Sequence, residues 1–265
     1  MQYTSDKFKL HYLSRYTLLI KVGDVHDVLL VLDDQQEILR AQIYEGEQPP
    51  ASVTKMLSLP FSKVYLSMSH ESLVLIPAEA YDEAHASQYS KYLQQEDRVA
   101  YYTTRLSALS LTAIYQYDIL KLNKWKSFFP DVHIVPEFAV WLEQAQPNIP
   151  IKGKVLGLHF NDQRMDVFLF VNGNFILYNH FEVINRQDVM FYFLQVLQNF
   201  DLENRVDKIL CSGISTDHAY LTALQPYADH IEFIRHFNPV SASDLAVMEK
   251  LFSHNILLDT PLCAL

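Results

Sequence analysis

Six short apolar runs give the sequence its pattern, three near the start of each half. They lie at residues 16–22, 27–33, 38–44, 155–160, 165–171 and 175–183. Turn residues separate neighbouring runs: Gly23-Asp24 follows the first run, and Asn172-Gly173 stands between the last two. Asn-Gly between apolar runs is a strong hairpin signal, because both residues accept the positive φ of a type I′ turn. The spacing predicts a three-stranded β-meander at the start of each half.

Helical and strand patterns alternate after each meander. In the first half, apolar residues at every third or fourth position predict a helix behind Asp118 that ends at Pro130. In the second half, Asn185 is the predicted N-cap of a helix, and Ser215 is predicted to cap another that ends near Leu224. A final helix is predicted over 243–252. Short apolar strands are predicted between these helices, at 132–135, 208–211 and 231–234.

A cluster of helix- and strand-breaking residues predicts a boundary in the middle of the chain. Pro147, Pro150 and Gly153 fall within the eight residues 146–153, and they disfavour regular structure. We expect a first domain at 1–150, with an insertion near 61–107, and a second domain at 151–265. Strands that alternate with helices form parallel sheets between helix layers, so the predicted fold class is α/β with one arrangement used twice.

The composition disfavours several functions. Lys plus Arg number 21 and Asp plus Glu number 31, a formal net charge of −10. This balance argues against nucleic acid as a partner, because nucleic-acid binders need cations that displace phosphate counterions. Only 6 of the 265 residues are glycine, where average usage would give roughly 18. Little of the chain can therefore form glycine-rich loops that wrap phosphates.

The distribution of apolar residues also predicts where the protein works. The longest uninterrupted stretch of apolar residues, VMFYFL at 189–194, has six residues, whereas a membrane helix needs about 20. The first ten residues are polar and lack the apolar stretch and cleavage site of a signal peptide. We therefore expect a cytoplasmic protein without direct membrane insertion.

The histidines and cysteines do not predict a metal site. His70-Glu71 begins like a zinc-protease motif, but no second histidine follows four residues after His70. His159 and His180 lie in neighbouring predicted strands, and two imidazoles without a third ligand make a poor zinc site. Cys211 and Cys263 show no paired spacing and are expected to be small buried hydrophobic residues.

Two copies of this order of strands and helices, joined by a break, resemble the actin-like ATPase fold. The whole chain also resembles a bacterial family of uncharacterised proteins, domain-of-unknown-function family 3822, whose members are similar to that superfamily. Three stretches carry the resemblance: YTLLIKVGDVHDVLLVLD at 16–33, VLGLHFNDQRMDVFLFVNGNFILYNHFE at 155–182 and KILCSGIS at 208–215. The resemblance implies two duplicated ribonuclease H-like halves, each with a mixed sheet flanked by helices.

Active members of this superfamily hold Mg-ATP between two hairpins, each with an Asp on its first strand and glycine at its turn. Glycine lets phosphate approach backbone N–H groups closely, and the two Asp residues hold Mg²⁺ directly or through water. The first hairpin's Ile-Asp-Ile-Gly resembles Ile20-Lys21-Val22-Gly23, which Asp24 follows. The glycine is kept, but Lys21 takes the place of the carboxylate and should repel Mg²⁺.

The second hairpin and the adenosine segment depart further from the pattern. Asp-Ile-Gly-x-Gly resembles the segment HFNDQ, in which His159 replaces the carboxylate and Asn161 and Gln163 replace the glycines. Asp166 matches a later Asp of the same hairpin. The adenosine segment's Ser-Gly-Gly resembles Ser212-Gly213-Ile214, where the β-branched Ile is expected to collide with a base.

Five departures at three loops remove the metal site and the phosphate cradle together. We therefore predict a degenerate relative that keeps the fold and lacks ATPase chemistry, with no catalytic residue, no cofactor and no metal. The predicted role is that of a non-catalytic scaffold or adaptor that binds another protein or self-associates. The alternative is a nucleotide-binding or ATP-hydrolysing actin-like protein with a divergent cleft, in which Lys21 and His159 would be anion ligands.

Two segments are candidate protein-binding surfaces. Residues 190–194, MFYFL, are apolar around more than one helix face. One face is expected to pack on the sheet, and the rest either packs on the other half of the protein or is exposed as a docking surface. Residues 79–97 are rich in Tyr and acidic residues and lie in the predicted insertion. The alternative for this second segment is a solvated helix.

Overall fold

A computed structural model describes residues 1–93, 100–203 and 205–263. The chain forms two compact units, one of Met1–Glu143 with Asp259–Leu265 and one of Gln144–Leu258. Each unit has an α/β structure with a mixed sheet. The fold class predicted from the pattern of apolar runs is therefore confirmed.

The first unit is built around a mixed six-stranded sheet. The strands described in this unit are β1 (Gln2–Thr4), β2 (Thr17–Val22), β3 (His26–Leu32), β4 (Ile38–Glu45), β5 (Lys63–Met68), β6 (Ser72–Pro77), β7 (Tyr102–Leu106), β8 (Leu111–Gln116) and β9 (His133–Pro136). The large sheet has the order β1-β4-β3-β2-β5-β9, with an antiparallel meander of β2 to β4 and with β5 and β9 parallel to β2. Leu18, Leu19 and Ile20 of β2 are all fully buried, because a central strand is covered on both faces.

Although β5 of the predicted insertion (61–107) belongs to the six-stranded sheet, β6 and β7 join β8, which follows that range, in a second, smaller sheet of the first unit. Its three antiparallel strands have the order β6-β8-β7. Ile76, Leu93 and Ile114 form its buried apolar cluster. The Tyr-rich segment at 79–97 contains a 3₁₀ turn at Glu83–His85 and a short helix at Ala86–Ser90, and its last four residues lie outside the described residues.

The second unit repeats the topology of the first. Its strands are β10 (Lys154–Asn161), β11 (Arg164–Val171), β12 (Asn174–Glu182), β13 (Val206–Ser212) and β14 (Ala228–Phe233). Their order, β12-β11-β10-β13-β14, matches β4-β3-β2-β5-β9 of the first unit position by position. Asn172 and Gly173 have φ values of 51° and 76°, so the predicted Asn-Gly hairpin turn is confirmed.

Helices connect the strands in both units. They are α1 (Ala51–Leu57), α2 (Ala86–Ser90), α3 (Ile119–Phe128), α4 (Glu137–Ala145), α5 (Arg186–Asn199), α6 (Ala219–Leu224), α7 (Leu245–Leu251) and α8 (Asn255–Asp259). Asn185 caps α5 as predicted: its side chain accepts the N–H of Asp188, whose carboxylate accepts the N–H of Asn185. Of the helices described, none has the length and apolar character that a membrane crossing requires.

Three local predictions were wrong or incomplete. Strands β1 and β7 were not predicted, because their sequences, QYT and YTTRL, lack an apolar run. Ser215 does not cap a helix: its hydroxyl donates to Asp217 Oδ1 at 2.6 Å. The cap of α6 is His218, which accepts the N–H of Tyr220. The last predicted helix begins only at Leu245, behind its cap Asp244.

Candidate functional site

A row of polar side chains crosses the sheet of the second unit near the carboxyl end of β10. His159 of β10 has Ser212 of β13 and Asp166 of β11 as its register partners, and His180 of β12 is the partner of Asp166. Register partners share one face of a sheet. The structure thus brings together four of the residues singled out from the sequence, although β11 separates the strands of His159 and His180. His159, Asp166 and Ser212 are each 2–3% exposed.

Ser212 joins His159 to a buried pair of amide side chains. Its Oγ lies 3.0 Å from His159 Nδ1 and 2.8 Å from Asn255 Oδ1. Asn255, the first residue of α8, donates from Nδ2 to Gln144 Oε1 at 2.7 Å. Gln144 Nε2 in turn donates to the main-chain oxygen of Asn255 at 3.0 Å. These four side chains form a continuous chain of hydrogen bonds, and each residue is 1–2% exposed.

The main-chain carbonyl of Asn255 fixes the direction of every hydrogen bond in this series of four side chains. A carbonyl only accepts, so the Gln144 amide must place its NH₂ there and its oxygen toward Asn255 Nδ2. The Asn255 Oδ1 is then an acceptor, and Ser212 gives it the one hydroxyl proton. His159 must therefore donate from Nδ1 to Ser212 Oγ. A donating imidazole nitrogen cannot act as the general base for that serine, so the pair is not an activated nucleophile.

Asp166 is bound by two side chains of its own unit. Arg164 Nε lies 3.1 Å from Oδ1 and 3.0 Å from Oδ2, and Arg164 Nη2 lies 2.9 Å from Oδ1. The Tyr178 hydroxyl donates to the same Oδ1 at 2.9 Å. The side chains of Arg164 and Asp166 are 11% and 5% exposed. Breaking such a buried pair costs about 3–5 kcal/mol, so a metal ion would have to compete with an occupied carboxylate.

The turn between β10 and β11 is made without glycine. Asn161 ends β10 and is buried, whereas Gln163 is exposed. Between them, Asp162 has the left-handed φ of 50°, which Asp tolerates better than most side-chained residues. The Gln163 carbonyl accepts the N–H of Val183 at 2.7 Å. The two positions expected to replace glycines therefore carry side chains at a turn tied to the end of the third meander strand.

Gly213 and Ile214 serve the packing of the second unit. Gly213 has a φ of 86°, and a Cβ there would lie 1.9 Å from the carbonyl oxygen of Phe160. The glycine thus allows close passage of the β10 main chain. Ile214 is 8% exposed and belongs to the apolar core that includes Phe160 and Cys211. Burial in this core also raises the pKa of the Cys211 thiol to about 12.

The corresponding positions of the first unit lie at the β2–β3 turn. Lys21 on β2 is 4% exposed, Gly23 is buried and Asp24 is exposed. Asp24 accepts a hydrogen bond from Lys121 Nζ at 2.7 Å, and Lys124 Nζ donates to the carbonyl oxygen of Gly46 at 3.1 Å. Both lysines belong to α3, so this helix places two cations beside the turn.

The sequence pattern did not single out Asp27, a buried carboxylate next to this turn. Its Oδ1 accepts the N–H of Gly23 at 3.3 Å, and its Oδ2 accepts from the Tyr44 hydroxyl at 3.4 Å. Burial raises the pKa of Asp27, although the charge of Lys124 and these hydrogen bonds oppose the rise. A Cβ on Gly46 would lie 3.0 Å from the same carboxylate, so Gly46 leaves room for it.

The family comparison agrees with the resemblance found in the sequence. The family model described as Protein of unknown function (DUF3822) matches residues 5–231. The chain therefore belongs to this family. No curated protein matches the sequence.

Two solved structures share the fold over nearly their whole length. A Bacteroides thetaiotaomicron VPI-5482 protein of unknown function with an actin-like ATPase fold has a TM-score of 0.68 at 15% identity, and the match covers 92% of this chain and 98% of that chain. The PilM-PilN type IV pilus biogenesis complex has a TM-score of 0.60 at 10% identity, with 94% and 97% covered. The chain has the actin-like ATPase fold, as the resemblance implied.

The raised pKa of Asp27 predicts a pH-dependent effect of Asp27→Asn. Folding favours the protonated form of a carboxyl group whose pKa is higher in the folded state. The free energy of unfolding therefore falls as pH rises from the pKa of the group in the unfolded state, about 3.9, through its pKa in the folded state. The amide does not titrate and escapes this loss. The free energy of unfolding of the variant minus that of the native protein should therefore be more positive at pH 7 than at pH 4. Urea unfolding at both pH values measures this difference.

Asp82→Asn is a control of opposite sign. Asp82 is exposed, and its hydrogen bonds with the His85 ring and the Ala84 N–H lower the pKa of its carboxyl group. Its ionised form is favoured by folding, so the Asn variant should lose stability relative to the native protein as pH rises. An Asp27→Asn effect on stability that is equal at both pH values, or that follows the Asp82→Asn trend, would contradict a raised pKa of Asp27 in the folded protein.

Proposed function

We propose that this DUF3822 protein is a non-catalytic member of the actin-like fold that binds another protein. The observation that carries the proposal is that polar side chains of the second hairpin are already hydrogen-bonded within the second unit. His159 and Asp166, which match carboxylate positions of active members, are both held by neighbouring side chains of the second unit. The proposal thus has two parts: the fold lacks a competent Mg-ATP site, and its surface serves assembly.

The chemistry of the site disfavours magnesium. Mg²⁺ prefers oxygen ligands in a near-octahedral arrangement. His159 offers no oxygen and has its Nδ1 proton directed at Ser212, and the Asp166 oxygens already accept from Arg164 and Tyr178. In the first unit, the position that would supply the other carboxylate holds a cation, Lys21.

The chemistry of the turn disfavours a triphosphate as well. A phosphate group binds to backbone N–H groups where no Cβ stands in its way. Asn161, Asp162 and Gln163 all carry side chains at the β10–β11 turn. The single glycine of the adenosine segment, Gly213, is accounted for by the approach of the Phe160 carbonyl.

An exposed group of apolar side chains on α5 and β12 supports protein binding. Phe191 is 63% exposed and Leu194 36% exposed. Tyr192 stacks on Phe181 of β12 with ring centroids 4.4 Å apart, and it meets the Phe191 ring at 5.2 Å. We call Phe181, Phe191 and Tyr192 the α5 aromatic face, of which Phe181 and Tyr192 are partly buried against the core. Aromatic side chains are enriched in protein interfaces, and the face continues from the sheet edge onto the helix.

The structural neighbours support the same role by analogy of fold. The PilM-PilN structure is, by its name, a complex for type IV pilus biogenesis. The actin-like fold therefore occurs in a protein that assembles with a partner. Because a fold hosts many functions, this analogy supports partner binding and does not name the partner of this chain.

Titration calorimetry with millimolar Mg-ATP tests the loss of the nucleotide site. The native protein is expected to give no saturable heat, which corresponds to a dissociation constant weaker than about 1 mM, or less than about 4.1 kcal/mol of binding free energy. Asp166→Asn provides the matched comparison and should behave like the native protein. A Mg²⁺-dependent isotherm near one nucleotide per chain that Asp166→Asn abolishes would overturn the proposal.

Cross-linking mass spectrometry in the native host tests the binding surface. Phe191→Asp places a charge on the α5 aromatic face without altering the buried core, and it should reduce cross-links to the partner at least about tenfold, as loss of a central interface aromatic does. Lys21→Ala should leave those cross-links unchanged, and melting curves confirm that both variants fold. Loss of the cross-links in Lys21→Ala and their survival in Phe191→Asp would instead favour a ligand-binding cleft.

A further inference from the structure

A groove in the first unit runs between the edges of its two sheets. β7 is the last strand of the three-stranded sheet, and β9 is the last strand of the six-stranded sheet. Residues 103–107 line one side of the groove and residues 133–136 line the other, around a cavity of about 630 Å³. The remaining lining comes from α4 and from the end of the described chain: Ala139, Glu143, Leu262 and Cys263.

Both walls of the groove present main-chain groups that their own sheets do not use. Among the described residues, β7 pairs only with β8 and β9 pairs only with β5. An edge strand carries a row of N–H and C=O groups on its outer side, and these groups form a template for an added strand. A groove with such a row on each side matches the hydrogen-bonding groups of an extended peptide backbone.

The side chains around the groove fit a polar peptide site rather than an apolar pocket. Thr103 and Arg105 of β7 and His133 of β9 are exposed, and Glu143 lies exposed on α4. They offer hydroxyl groups and charges of both signs beside the edges. In strand addition, main-chain hydrogen bonds provide affinity and such flanking side chains provide specificity.

We propose that this groove binds an extended segment of a partner protein as an added strand between β7 and β9. β7 has five residues and β9 has four, so at roughly 3.3 Å per residue the edges accommodate a segment of about four or five residues. The inference rests on the proposed role in protein binding and specifies the form of the ligand.

A groove with a strand edge on each side favours a single extended chain over the sheet edge of a second copy as the occupant. Sheets that join edge to edge need an open side, because each further strand lies about 4.8 Å beyond the last. Here residues 133–136 line the same cavity as residues 103–107, and the further strands of another copy would have to pass them. A single extended chain meets no such obstacle.

A library of random linear dodecapeptides displayed on phage provides the probe for this site. After selection on the purified full-length protein, the strongest binders are synthesised and their affinity is measured by fluorescence polarisation. Hydrogen exchange should slow on peptide binding at 102–106 and 133–135. Thr103→Trp, which fills the groove from β7, should weaken binding at least tenfold.

Thr216→Trp is the matched control, because Thr216 is also exposed but lies in the second unit. It should bind the peptides like the native protein, and Ser107→Trp replaces Thr103→Trp if that variant does not fold. The inference is overturned if no peptide is selected, if exchange slows elsewhere (the α5 aromatic face included), or if both groove variants bind normally. None of these results alters the cross-links lost in Phe191→Asp or the calorimetry with Mg-ATP, so failure of the groove and failure of the proposed function are distinguishable.

Discussion

The candidate site depends on one main-chain carbonyl, that of Asn255. Because it can only accept, it orients the Gln144 amide, and that amide orients Asn255, Ser212 and His159 in turn. Each of these groups is buried, and a buried donor or acceptor left without its partner costs about 1–3 kcal/mol. The donor and the acceptor of each of these hydrogen bonds are therefore determined, and His159 Nδ1 is held as a donor to Ser212 Oγ. His159 is thus part of the hydrogen-bonded framework of the second unit.

The alternation of side chains along β10 separates the apolar core of the second unit from the row of polar side chains. Leu158 and Phe160 point into the apolar core of the second unit, while His159 and Asn161 lie on the other face. Since successive residues of a strand face opposite sides, substitutions on the polar face leave the core pattern intact. On β11, Arg164 and Asp166 are two residues apart, so both side chains lie on one face and form an ion pair there. The apolar core and the polar row are thus encoded by alternating positions of the same strands.

The sequence predicted the elements whose signals are local. The Asn172-Gly173 turn, the meanders and the cap at Asn185 follow from neighbouring residues, and each is present in the structure. Strands β1 and β7 were missed because edge strands carry polar residues on exposed sides. The pairing of Ser212 with Asn255 spans 43 positions, and no local pattern reveals a contact of that range. Gly213 has a nonlocal reason as well, since it makes room for a carbonyl more than fifty residues earlier in the chain.

Part of the site could nevertheless have been inferred from the residues alone. Arg164 directly precedes the predicted strand at 165–171 and Asp166 lies on it, so opposite charges two residues apart already imply a shared face and a carboxylate neutralised by its neighbour. Asp27 gave no such signal, because an acidic residue next to a turn is most often exposed. Its burial against Tyr44 depends on how β3 and β4 pair.

The most direct test of this account is the protonation of the His159 ring, measured by nitrogen-15 NMR of the imidazole side chains and assigned with His159→Gln. The hydrogen-bond chain predicts a proton on Nδ1 at neutral pH and ring signals that do not change when Mg-ATP is added. A ring with its only proton on Nε2, or signals that shift with nucleotide, would contradict it.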